Sequence, residues 1–192
     1  MRRVSVDHEL LRRAVADPEV LHWHTWAALA PGPSLVVLGA VHGNEVCGAH
    51  AIVRAIDDLT HGRLRLLRGR LTLVPVANPL AFAQATREGQ RNLNRRFLPQ
   101  PDPQDYEDRI THQLAPLLAH GAADLVVAFE PAEAARVVPF LAPGGTLVTA
   151  TTALQPVTAA LSKTPYRAAA VVARLQEQLA DAATFVAVDD AA

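Results

Sequence analysis

The chain of 192 residues predicts a layered α/β fold on a mixed, mostly parallel sheet. Two observations carry this. Short runs rich in Val and Leu alternate with longer stretches whose apolar residues recur at helical spacing, the pattern of strands joined by crossover helices. Half the residues are hydrophobic and 19% are charged, enough apolar surface to cover such a sheet on both faces.

The elements are expected in the following order. Residues 8–20 form an amphipathic helix, with Leu10, Leu11, Val15 and Val20 near one face. Residues 21–30 are a candidate strand, closed by the turn Pro31-Gly-Pro33. The apolar run 34–41 reads as a buried strand that delivers His42 at its C-terminal end, where open α/β sheets place their ligands. Gly43-Asn44 breaks it, and 45–59 reads as a helix with Ala49, Ile52, Val53 and Ile56 inward. A second buried strand, 71–76, ends at Asn78-Pro79, and a short helix over 80–87 leads to the polar loop 88–92. Pro99, Pro101 and Pro103 make a stiff connector. A helix over 105–119 turns Tyr106, Ile110, Leu114, Leu117 and Leu118 inward. The remainder repeats β-α-β-α-β: strand 125–129, helix 132–140, a turn at Pro143-Gly-Gly145, strand 146–151, helix 166–180 and strand 184–188. Locally this back half is Rossmann-like.

Composition narrows the function classes. A net charge of −1, and arginines that do not alternate with aromatic residues, give no reason to expect nucleic acid. The single Cys47 excludes an internal disulfide framework. The N-terminus lacks the apolar core of a signal peptide, and no segment reaches membrane-spanning length. A soluble cytoplasmic protein is the expectation. All eight histidines and 14 of the 17 arginines lie at or before His120, whereas the chain from Gly121 onward is rich in Ala, Val and Thr. Two pieces, 1–120 and 121–192, are expected to complete one sheet.

Two motifs carry chemistry. His42-Gly-Asn-Glu45 puts an imidazole and a carboxylate on either side of a turn, within reach of one divalent ion. The other reading is a surface His beside an acid at the N-terminus of the following helix, favoured by its dipole. The second motif is Asn78-Pro79, then Arg87, then Asn92-Leu-Asn94-Arg95-Arg-Phe97. Together the two resemble the signature of the succinylglutamate desuccinylase/aspartoacylase family over about residues 34–120. The resemblance implies a carboxypeptidase-like fold for this front half and a zinc-dependent amide hydrolase. It further implies His42 and Glu45 as zinc ligands, and Arg87, Asn94 and Arg95 as the groups that grip the carboxylates of a small anionic acyl-amino-acid substrate.

Asn92 stands where many members carry Asp, which is expected to alter hydrogen bonding around the arginines. Arg91 and Arg96 have no counterpart and are expected to be solvated charges. The family's third ligand is a His closing the next strand. Here that strand runs from Asp124, and Glu130 falls at the ligand position. Its alternative role is to cap the following helix, beside Pro131. With two carboxylates, one zinc ion would be weakly held and its water less acidic. The family's catalytic Glu has no recognisable motif, and Glu133 and Glu177 are candidates by residue type only, so turnover is expected to be impaired.

Residues 122–189 resemble part of the gamma-type subunit of 2-oxoacid:ferredoxin (indolepyruvate) oxidoreductases, on the run Asp124 to Arg136 and on Pro143-Gly144-Gly145-Thr146. The Gly-rich phosphate cradle that would normally open that subunit is missing. The combination suggests a chimeric chain. Two further readings follow: a non-catalytic fusion or degenerate anion-binding α/β protein, and an oxidoreductase subunit.

Overall fold

A computed structural model describes residues 8–95, 97–119, 123–128, 131–151 and 167–189. The chain divides into two compact units, Met1–His120 and Gly121–Ala192. Its described strands pair as two three-stranded sheets, one in each unit, where a single sheet was expected.

In the first unit the order is α1 (His8–Ala16), β1 (His24–Ala27), β2 (Ser34–Leu38), α2 (Val46–Thr60), β3 (Arg70–Val74), α3 (Pro79–Ala83) and α4 (Tyr106–Ala119). The strands lie in the order β1-β3-β2. β2 runs parallel to β3, with Leu38 opposite Val74, and β1 runs antiparallel to β3, with His24 opposite Leu73. Successive residues of β3 face opposite sides of the sheet. Leu73 therefore joins Ile52 and Ile56 of α2 in one cluster, while Val74 joins Tyr106, Ile110 and Leu114 of α4 in another. Helices thus cover both faces, as a parallel pair of strands requires. The predicted inward face of α2 is the buried one: Ala49, Ile52, Val53 and Ile56. Burying each of the larger of these side chains is worth about 1.5–3 kcal/mol.

In the second unit β4 (Ala123–Ala128), β5 (Leu141–Ala150) and β6 (Thr184–Val188) form an all-parallel sheet in that order, with α5 (Pro131–Val137) and α6 (Ala168–Leu179) between them in sequence. Ala128, Ala134, Leu147, Leu175 and Leu179 make its core. Pro143-Gly-Gly145 is no turn before a strand. Ala123 pairs with Leu141 and Leu125 with Thr146, so the three residues bulge out within β5, and Gly144 takes φ 77°. An extra stretch opposite a shorter one is how a bulge bends a strand without ending it.

Candidate metal and anion site

The site of interest lies where β2 and β3 end. Backbone bonding continues beyond both strands: Gly39 N–H donates to Val74 O at 2.8 Å, and Ala77 N–H to Gly39 O at 2.8 Å. Ala40 then adopts φ 45°, a left-handed conformation that costs an L-residue roughly 1–2 kcal/mol. It turns the chain out of the sheet just before His42. Gly43 follows against the first turn of α3, and a Cβ there would lie 2.0 Å from the carbonyl carbon of Ala81. Only glycine permits that approach, and it leaves His42 5% exposed.

The Nδ1 atom of His42 lies 3.1 Å from Glu45 Oε1, and its Nε2 lies 3.2 Å from Asn92 Oδ1. Glu45 opens α2, yet its carboxylate makes no capping bond to the helix. It is turned instead toward His42, and its Oε1 also accepts from Arg87 Nη1 at 2.8 Å. Asn92 Oδ1 accepts the backbone N–H of Asn94 at 3.0 Å, so that atom is the amide oxygen and not the nitrogen. It follows that Nε2 of His42 carries a proton and donates it to Asn92. In a neutral imidazole Nδ1 is then a bare lone pair, facing a carboxylate oxygen. Two acceptors at hydrogen-bond distance need a proton or a cation between them. Two ligands of a tetrahedral zinc ion, bound at about 2.0–2.2 Å, sit roughly 3.3 Å apart, close to the separation here. These two donors fit a zinc ion.

The loop that brings Arg87 and Asn92 to this point is held from below by Glu107, which is fully buried. Its Oε1 accepts from the backbone N–H of Gly89 at 3.1 Å and Gln90 at 3.2 Å, and from Asn78 Nδ2 at 3.2 Å, while Oε2 accepts from Arg91 N–H at 3.0 Å. Asn78 in turn caps α3 through Ala81 N–H at 3.2 Å. A buried carboxylate with this many donors is well compensated. Sequence reading missed it, because an acidic residue in the first turn of a helix ordinarily looks solvated.

Two expectations are corrected here. Arg91 is no free surface charge: its guanidinium grips Asp105 at 2.6 and 3.1 Å and Asp108 at 2.6 Å. The bond to Asp105 holds its pKa above the usual arginine value, against the opposing effect of burial. Asn92 acts on His42, where an effect on the arginines was expected. Asn94 is partly buried on the 3-10 turn Leu93–Arg95, and Arg95 is exposed with no ion pair among the described residues. Arg96 and Glu130 lie outside the described residues, as does the side chain of Glu133, and Glu177 is exposed on α6. Among the described residues no three His, Cys, Asp or Glu side chains cluster as metal ligands.

Residues 31–130 match the model of the succinylglutamate desuccinylase/aspartoacylase catalytic domain, just over half of the chain. The chain belongs to this family. An aspartoacylase family protein from Mesorhizobium loti shares the fold, with a TM-score of 0.50 and 21% identity over 89% of this chain and 56% of that one. A match of that extent runs well past residue 130, where the family match ends. Also similar are a succinylglutamate desuccinylase from Vibrio cholerae (TM-score 0.44, 25% identity, 53% of this chain and 32% of that one) and a product-bound ectoine utilization protein from Ruegeria pomeroyi (TM-score 0.44, 21% identity, 87% and 52%). The chain thus spans between about a third and just over half of these relatives' lengths. No curated protein matches it.

Proposed function

We propose that this desuccinylase/aspartoacylase-type chain carries a zinc site for hydrolysing the amide bond of a small acyl-amino acid. The observation that carries the reading is the convergence of His42 Nδ1 and Glu45 Oε1 at 3.1 Å, a separation that suits two ligands of one zinc ion. His42 and Glu45 would be two of the ligands, and the assignment of Glu130 as the third rests on the sequence alone. When bound, zinc supplies Lewis acidity toward the amide carbonyl and acidifies a water.

The chain's own residues orient the substrate. Arg95, exposed and unengaged among the described residues, offers a guanidinium fork to a carboxylate. Arg87 is half-exposed and tied to an exposed Glu45, a pairing worth about 0–1 kcal/mol. It can therefore exchange its partner for a substrate carboxylate at little cost, while Glu45 turns to the metal. Asn94 adds an amide from the same turn. With no residue identified as the general base, turnover by this chain is expected to be weak.

The test is hydrolysis of N-acetyl-aspartate and N-succinyl-glutamate by the zinc-loaded chain. Slow release of the free amino acid, abolished in His42→Ala and with KM raised in Arg95→Ala, supports the reading. Hydrolysis unaffected by His42→Ala contradicts it. The composite reading, with its oxidoreductase part, rests on sequence alone, and no described feature favours it.

A further inference from the structure

We infer that Asn92 is the positioning residue that selects the metal-binding nitrogen of His42, and that its neutral amide sets this site's grip on zinc below what a carboxylate would give. The inference rests on the zinc reading above. Its geometry is local: one oxygen, Asn92 Oδ1, is shared by Asn94 N–H at 3.0 Å and His42 Nε2–H at 3.2 Å. The Asn94 bond fixes which end of the amide faces His42, and the amide then fixes the imidazole tautomer. The loop cannot easily drift away, because Glu107 holds its three preceding backbone N–H groups from a fully buried position. His42 is itself 5% exposed, so water has little access to replace Asn92.

The outer partner of a ligating histidine does two things: it orients the ring, and it pushes electron density toward the metal-binding nitrogen. An amide oxygen does the first as well as a carboxylate does. It does the second less, since it carries no charge. The proton thus stays on Nε2 and the lone pair on Nδ1 faces Glu45, but the imidazole is a weaker donor than it would be beside an anion.

Zinc titration of the full chain at pH 8 against a chromophoric chelator, paired with long-range 15N–1H spectra of His42 in the metal-free protein, tests this. Asn92→Asp is expected to bind zinc about tenfold or more tightly than the unmodified chain, and Asn92→Leu about tenfold or more weakly. Spectra should show the proton on Nε2 in the unmodified chain and a mixture of tautomers in Asn92→Leu. If the unmodified chain binds zinc and both variants bind it equally well, the inference is overturned and the zinc reading survives. If it binds none, the zinc reading falls and takes the affinity half of the inference with it. The spectra then decide the positioning half, and retention of the Nε2 proton in Asn92→Leu overturns it. Unchanged circular dichroism separates these outcomes from misfolding.

Discussion

At the scale of single residues, the site depends on groups that satisfy one another in a chain. Glu107 supports the loop, Asn92 holds His42, and Glu45 faces His42 while pairing with Arg87. Removing a buried acceptor strands its donors, at about 1–3 kcal/mol for each group left unsatisfied. Glu107→Gln should therefore lower unfolding stability by about 2 kcal/mol or more, read from urea denaturation. It should also expose the amides of residues 89–91 to faster hydrogen exchange, and unchanged exchange would show that the carboxylate does not hold the loop. His42, Glu45 and Arg87 were legible in the sequence because a spaced motif names them. Asn92's partner was not, because the contact joins residues fifty positions apart through two separate turns. Arg91 and Glu107 were misread or passed over for the same reason: their burial is set by segments that the local pattern does not mention.

Secondary-structure elements deliver these residues through two tight backbone features. Gly43 touches the first turn of α3, and a Cβ would meet backbone, which cannot yield as a flexible side chain would. Overpacking of this kind costs about 1–3 kcal/mol or more, so Gly43→Ala should destabilise the fold by at least that and displace His42, measured by denaturation and by His42 chemical shifts. Ala40 gives the opposite sign. It holds φ 45°, which glycine adopts freely, so Ala40→Gly should stabilise by up to about 1 kcal/mol in the same assay. The inward face of α2 was readable because helical periodicity places Ala49, Ile52, Val53 and Ile56 on one side. The bulge in β5 was not, since Pro-Gly-Gly suits a turn and a bulge equally and only the pairing with β4 decides.

For the whole molecule, the family match, the fold shared with the Mesorhizobium protein and the paired ends of β2 and β3 point the same way. Two groups, the partly buried His24 and the buried Tyr106, make the stability of the first unit depend on pH. Burial, and to a lesser degree His22, hold the His24 pKa below its ordinary 6.5. The unfolded chain therefore takes up this proton first, and stability falls as pH drops below about 6.5. Burial pushes the Tyr106 phenol up to about 12 from an ordinary 10.0. The unfolded chain loses that proton first, so stability falls again as pH rises from 10 toward 12. Denaturation midpoints across this range, with His24→Phe flattening the acid limb, check both. Among the described residues no helix is long and apolar enough to cross a membrane. The central claim, that His42 and Glu45 share a metal ion, is met most directly by elemental analysis of protein purified without chelators. One equivalent of zinc, lost in both His42→Ala and Glu45→Ala, is the result this account predicts. Zinc absent from the unmodified chain, or retained in full by both variants, would contradict it.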